Sequence, residues 1–166
     1  MEEQIVPSIV LMQGPPACGK STYARKYNEQ HPETSVIVSR DAFRHARGKY
    51  WVPSQEKYIT ALERFAISEG LVHGYTVIVD ATNMNPAMIA NIVEIAREYE
   101  VAVFAIMIHA TLEECIKRDL NKDREHTVGE TVIRNFYKKY QDYCNQHGLD
   151  HDNEFSMDII YNPECN

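Results

Sequence analysis

An α/β fold, a parallel sheet of about five strands with helices on both faces, is what this 166-residue chain predicts. Three observations predict it. Short, continuous apolar runs alternate with segments whose apolar residues fall at helical spacing, the pattern of buried parallel strands joined by crossover helices. Several of those runs give way at once to chemically loaded residues: Gly14 to Lys20, Arg40 and Asp41, and Asp80. No internal repeat or low-complexity tract interrupts the alternation, and the length suits one domain over residues 1–166.

The elements follow in order. Ile5–Gln13 predicts a buried first strand, and Thr22 to Tyr27 opens a helix that ends near Gln30-His31-Pro32. Ser35–Ser39 is a second short strand, and from Asp41 a helix runs until Gly48. Pro53-Ser54-Gln55-Glu56 restarts a helix with Ser54 as its cap; Ile59, Leu62, Phe65, Ala66 and Leu71 form its apolar stripe, and Gly74 stops it. Tyr75–Val79 is a third strand ending in Asp80, and Asn85-Pro86 opens a helix whose apolar face holds Ile89, Ile92, Val93 and Ile95. Val101–Ile108 is a fourth strand. Thr111-Leu112-Glu113-Glu114 has the form of a capping box for a helix through Asp119. A charged segment, Asn121–Thr127, precedes a long helix from Val128 to Cys144, whose stripe of Ile133, Phe136, Tyr137, Tyr140 and Tyr143 predicts core. Phe155–Tyr161 is a last strand after the polar loop Asn145–Glu154.

Between the first strand and the first helix stands Gly14-Pro15-Pro16-Ala17-Cys18-Gly19-Lys20-Ser21, a complete G-x-x-x-x-G-K-S phosphate-binding loop. Strand before and helix after are the context that separates such a loop from a chance match. Gly14 and Gly19 let the backbone curl so that successive N–H groups, Cys18's included, point at one anion, and the following helix adds its positive end. Lys20 then reaches the β- and γ-phosphates, Ser21 ligates Mg²⁺, and Thr22 completes the nucleotide-binding set. The cofactors expected are ATP and Mg²⁺.

Two further strand ends carry chemistry. Asp80 closes Val77-Ile78-Val79, where a carboxylate holds Mg²⁺ or its water shell as partner to the loop serine. Asp41 and Arg44 are three apart and share a helix face. One can take the proton of an attacking hydroxyl while the other clamps an acceptor phosphate; an N-capping Asp with a surface Arg is the plainer alternative. The segment from Lys117 to Arg124 is either a lid that brings cations onto the transferring phosphoryl or a solvated helix connection. Asn121-Lys122-Asp123 is followed by Arg124, whereas a guanine-specific GTPase wants Asn-Lys-x-Asp, which disfavours that class. Trp51, the only tryptophan, lies beside Lys49 and Tyr50 and either stacks on a base or packs within the fold.

Composition narrows the classes. A net charge of −7 argues against a protein that coats nucleic acid, although Arg40, Arg44, Arg47 and Lys49 make one local basic stretch. No apolar run reaches membrane-spanning length, and the acidic N-terminus lacks signal-peptide character. The four cysteines have no metal-ligand cadence and suit reduced thiols, so a cytoplasmic location and no membrane partner are expected.

Taken in order, Gly14 to Ser21, Arg40-Asp41-x-x-Arg44, Asp80-x-Thr82-Asn83-x-Asn85-Pro86 and an Arg-containing lid resemble the kinase domain of bacteriophage and bacterial polynucleotide 5′-kinases, over residues 5–145. The resemblance implies a P-loop kinase fold with a helical lid. It implies that Lys20 and Ser21 bind ATP and Mg²⁺, that Asp41 is the general base on the 5′-hydroxyl and that Arg44 holds the acceptor's 3′-phosphate. Arg118 and Arg124 would be lid residues on the donor phosphates, and Asn83 would serve the substrate side. The phage pattern places its acid directly before Thr-Asn; here Ala81 stands there and Asp80 one earlier, as in the bacterial RNA-repair forms, which assigns Asp80 to metal. The phage enzyme continues into a phosphatase domain, so a chain ending at Asn166 is expected to phosphorylate only.

The expectation is therefore a polynucleotide 5′-hydroxyl kinase that takes the γ-phosphate of ATP to a single-stranded or otherwise exposed nucleic-acid end. A small-molecule kinase on the same scaffold and a non-catalytic nucleotide-binding module are the alternatives. Asp41 and Arg44 discriminate the last, since a switch needs no acceptor-side base.

Overall fold

Parity within each strand decides which helices cover which face. The computed structural model describes residues 6–121, 127–150 and 152–165. In β1 (Ser8–Gln13), β3 (Thr76–Asp80) and β4 (Ala102–Ile108), successive side chains point to opposite faces. Ile9, Leu11, Val77, Val79, Val103 and Ala105 fall on one face and pack with Ile67 and Leu71 of α3 (Glu56–Val72) and Ile92 and Ile95 of α4 (Pro86–Glu98). Met12, Ile78, Ile106 and Ile108 fall on the other and pack with Ala24 of α1 (Lys20–Gln30), Cys115 of α5 (Leu112–Leu120) and Ile133 of α6 (Glu130–His147). Met107 shares the parity of Ala105, and Tyr140, Tyr143 and Cys144 cover it from the second half of α6. Each fully buried aliphatic side chain contributes about 1.5–3 kcal/mol, so these clusters hold both layers to the sheet.

With β2 (Ser35–Ser39) and β5 (Phe155–Tyr161), the sheet order is β2-β3-β1-β4-β5. The first four strands pair in parallel. Asp80 lies in register with Met12 on one side and Ser39 on the other, so β1, β2 and β3 finish at one level. That common edge is where the site is built.

β5 departs from the expected parallel sheet and pairs antiparallel with β4, Phe155 opposite Ile108. A parallel strand needs a crossover back to the far edge, usually a helix. Here α6 has already packed beside the carboxyl end of β4, and β5 begins only a short way along the chain from it, with His109 N–H donating to the Glu154 carbonyl at 3.0 Å.

Several boundaries shift: β1 starts at Ser8, β4 at Ala102 and α6 at Glu130, each later than expected. The third strand is Thr76–Asp80, one residue later than expected, and the last helix runs on to His147, where Gly148 takes a left-handed conformation (φ 61°) and ends it. Ser54 is not a helix cap: it lies inside a 3-10 turn, Pro53–Gln55, and α3 starts at Glu56 without a side-chain cap. The capping box at Thr111 is present in full, and Asn85 caps α4 by accepting the Ala87 N–H.

Candidate active site

The donor side starts from a glycine that nothing else could replace. Gly14 has φ 134°, and a Cβ there would lie 2.8 Å from Cys18 Sγ and 2.9 Å from the Ile108 carbonyl oxygen. Ala17 (φ 63°) and Gly19 (φ 116°) continue the curled backbone, and Gly19 is the N-cap of α1. Lys20, the first residue of α1, is only 8% exposed. Its ammonium donates to the Pro15 carbonyl at 2.7 Å and lies 3.8 Å from Cys18 Sγ. A buried cation whose bonds are to neutral acceptors, inside a ring of curled backbone at a helix N-terminus, fits a polyanionic ligand. Ser21 follows, partly buried, and Thr22 is exposed.

Arg118 joins this loop from α5. Its Nη1 donates to the Cys18 carbonyl at 2.8 Å. Two bonds fix the elements on either side: Asp119, 2% exposed, accepts the Val128 and Gly129 N–H groups at 3.0 Å each. The carboxylate thus holds the start of α6 to the end of α5, a role its sequence neighbourhood did not disclose. Arg124, the other expected lid arginine, lies outside the described residues.

The acceptor side is built on α2 (Arg40–Arg47), capped by Ser39, whose Oγ accepts the Ala42 N–H. Ser39 being the cap, Asp41 is left on the first turn with its side chain 62% exposed. Arg44 donates through Nη1 to Asp41 Oδ1 at 2.8 Å, and through Nε and Nη2 to both oxygens of Glu56 at 3.0 and 2.7 Å. Arg44 is therefore gripped side-on by Glu56, a residue without an assigned role in the sequence. Arg40 extends the network to Glu56 at 3.2 Å and to the buried Glu63 at 2.8 Å. The Tyr50 hydroxyl donates to Asp41 Oδ1 at 2.7 Å.

Electrostatics follow these contacts. The hydrogen bond from Arg44 holds the Glu56 carboxyl below its usual range, against the opposing effect of burial. Glu56 in turn raises the pKa of Arg44. Burial first, then the bond to Asp41, pushes Tyr50 up to about 12. Trp51 is 54% exposed, with the Arg44 guanidinium 5.4 Å from its ring centroid.

Asp80, partly buried at the end of β3, stands in register between the strand that feeds the loop and the strand that feeds α2. A serine hydroxyl and a carboxylate are hard oxygen donors, the set Mg²⁺ uses when phosphate and water complete its shell. Among the described residues there is no cluster of three or more His, Cys, Asp or Glu that would hold a metal unaided.

Asn83 is a correction. It was expected on the substrate side, but it is 7% exposed, with φ 45°, and its Nδ2 donates to the Met12 and Val79 carbonyls at 2.8 and 2.9 Å. Its own carbonyl accepts from Gln13 Nε2 at 2.8 Å. Asn83 ties the ends of β1 and β3 together and so sets the separation of the donor loop and Asp80.

Beyond Ile108, a cavity of about 350 Å³ is lined by residues including His109, Thr111, Glu114, Gln141, Asn145 and Asn153. His109 is held through Nδ1 by Tyr140 at 2.6 Å and through Nε2 by Ser156 at 2.7 Å. Ser156 joins this group only because β5 runs back beside β4, and no local spacing marks it.

Known proteins resemble this arrangement. The chain is 27% identical over 135 residues to an L-seryl-tRNA(Sec) kinase of Methanococcus maripaludis, a match covering 80% of this chain and 52% of the relative. A chain in the structure of the Pnkp1/Rnl/Hen1 RNA repair complex superposes with a TM-score of 0.76 at 23% identity, over 93% of this chain and 49% of that one. A second structure of the Pnkp1/Rnl/Hen1 complex gives 0.61 at 28% identity, over 75% and 43%. The chain thus spans about half the length of the relatives it matches. The AAA_33 model, described as an AAA domain, matches residues 9–146, which take in the donor loop, Asp41, Asp80 and α5: the chain belongs to that family and is a P-loop kinase domain.

Proposed function

We propose that the chain is an ATP-dependent polynucleotide 5′-hydroxyl kinase. The observation that carries this reading is the acceptor face itself: an exposed carboxylate, Asp41, ordered by Arg44 beside the half-exposed ring of Trp51. A nucleotide switch has no use for such a base, whereas a terminal nucleoside can stack on an exposed tryptophan. A structural neighbour from an RNA repair complex and a relative acting on tRNA support a nucleic-acid acceptor.

In this reading Lys20, the loop N–H groups of Ala17, Gly19, Lys20 and Ser21, and Arg118 hold the triphosphate of ATP, and the cavity beyond Ile108, of nucleoside size, takes its base and sugar. Ser21 and Asp80 hold Mg²⁺, which when bound neutralises charge on the phosphates. Asp41 accepts the proton of the 5′-hydroxyl as its oxygen bonds to the γ-phosphorus and the bond to the β,γ-bridging oxygen breaks, releasing ADP. Lys20 and Arg118, with Arg124 proposed as a third cation, stabilise charge on the transferring group.

One observation favours a second reading. Three of the five N–H donors of Arg44 are engaged by Glu56 and Asp41, so an acceptor phosphate would have to share the guanidinium with two carboxylates. An acceptor hydroxyl without a neighbouring phosphate, on a small molecule or an aminoacyl group, needs no such sharing.

The test supplies γ-labelled ATP with 5′-hydroxyl DNA and RNA oligonucleotides, serylated tRNA and small hydroxyl metabolites. Label on an oligonucleotide end, lost with Lys20→Ala, is the expected result; label on a metabolite or seryl group alone overturns it. Asp41→Asn is expected to reduce transfer by about 10²- to 10⁴-fold while ATP affinity stays within about twofold. Loss of ATP binding in that variant would place Asp41 on the donor side instead.

A further inference from the structure

We propose that Tyr50 is a positioning residue for the acceptor-side base: its hydroxyl fixes Asp41 through Oδ1, so that Oδ2 is the oxygen that takes the acceptor's proton. The inference rests on the reading of Asp41 as that base.

An exposed aspartate on the first turn of a short helix has rotamer freedom, and a general base has to be held within hydrogen-bond reach of its proton. Two donors converge on Asp41, Tyr50 O–H at 2.7 Å and Arg44 Nη1 at 2.8 Å, and both fall on Oδ1. Oδ2 receives neither of them. The tyrosine is itself held in place. Arg47 Nη2 donates to the carbonyls of Lys49 and Tyr50 at 3.0 and 3.1 Å, which fixes the backbone of the turn. The ring packs against His45 with centroids 4.9 Å apart and lies 5.9 Å from the Arg44 guanidinium. Arg44 is anchored by Glu56, Glu56 by Arg40, and Arg40 by the buried Glu63 of α3. The orientation of Asp41 thus rests on α3 by one route and on the Arg47-bound turn by the other.

Tyr50 is suited to this because it stays a donor. Burial and the bond to Asp41 raise its pKa to about 12, so the hydroxyl keeps its proton across the range in which a kinase works. The charged and titratable groups around Asp41 are Arg40, Arg44 and His45 on α2, Tyr50 on the turn and Glu56 and Glu63 on α3. Asp80 is in register with Ser39 at the sheet edge.

Tyr50→Phe keeps the ring and deletes only the hydroxyl. The expected result is kcat about tenfold lower with KM for ATP and for the acceptor unchanged. His45→Gln is expected to leave kcat within about twofold; a loss as large as that of Tyr50→Phe would assign the effect to packing of the turn, and the proposal fails. Wild-type kcat in Tyr50→Phe, with Asp41→Asn inactive, overturns the positioning role and leaves the base reading standing. Full activity in Asp41→Asn overturns both. If Tyr50→Ala is impaired and Tyr50→Phe is not, the ring acts by packing alone and the hydroxyl has no role.

Discussion

Gly14 is the residue at which sequence and site coincide most closely. An alanine methyl there would meet Cys18 Sγ at 2.8 Å and the Ile108 carbonyl at 2.9 Å, and φ 134° is a conformation that L side chains rarely adopt. The carbonyl belongs to a buried strand and cannot swing away, so Gly14→Ala is expected to destabilise by about 2–4 kcal/mol and to weaken ATP binding more than tenfold; thermal melting and equilibrium titration check the two effects. The donor loop was legible because its glycines, lysine and serine lie within eight consecutive residues, whereas its partner Arg118 comes from α5. Arg44 was half legible: its helix-face neighbour Asp41 follows from spacing, while Glu56, twelve residues on, meets it only when α2 and α3 fold together. The substrate-side role of Asn83 came from the resemblance alone, and nothing local discloses that its backbone turns to φ 45° and buries the amide. Glu56 carries its own prediction. Its carboxyl is held below its ordinary range by the hydrogen bond from Arg44, so the ionised pair contributes stability above the unfolded-state pKa that is lost as pH falls through the lower folded one. Glu56→Gln is expected to flatten the fall of melting temperature below about pH 5, relative to the parent chain; an equally steep fall in both would assign that acid sensitivity elsewhere.

At the level of elements, β1, β3 and β4 and the helices over them were legible because continuous apolar runs and 3.6-residue spacing are local signals. The direction of β5 was not, since it depends on where α6 leaves the chain and not on any residue of the strand. Helix α3 shows a further constraint hidden from the sequence. Gly70, buried within α3, lies so close to the sheet that a Cβ would stand 2.6 Å from Val77 Cγ2 and 3.1 Å from Val36 Cγ2. A glycine inside a helix is unfavourable by about 1 kcal/mol relative to alanine, so propensity alone would favour replacing it. The close approach reverses the sign. Gly70→Ala is expected to destabilise by about 1–2 kcal/mol net, since pushing α3 off the sheet also shifts Glu56 and Glu63 and with them the support of Arg44 and Arg40. Denaturant unfolding checks the stability, and a stabilised variant would mean that the valines repack freely.

For the whole molecule, charge and proposed acceptor pull in opposite directions. The chain carries a net charge of −7, and a strand of nucleic acid would be repelled by most of its surface. The cations of the acceptor face are largely neutralised in place, Arg40 by Glu56 and Glu63 and Arg44 by Glu56 and Asp41. Such a protein cannot bind by laying a basic groove along many phosphates; it has to recognise an end through one or two contacts and the exposed ring of Trp51. Salt dependence measures that difference directly. Each phosphate contact on a single strand contributes a slope of about −0.7 to log K against log[salt], so one or two contacts predict that kcat/KM for a 5′-hydroxyl oligonucleotide falls only about three- to sevenfold between about 50 and 200 mM salt. Lengthening the oligonucleotide beyond a few nucleotides is expected to change neither the slope nor KM, and Trp51→Ala is expected to raise KM for the oligonucleotide while leaving KM for ATP unchanged. A slope steeper than about −4, growing with oligonucleotide length, would instead require an extended phosphate track, which the charge of this surface opposes.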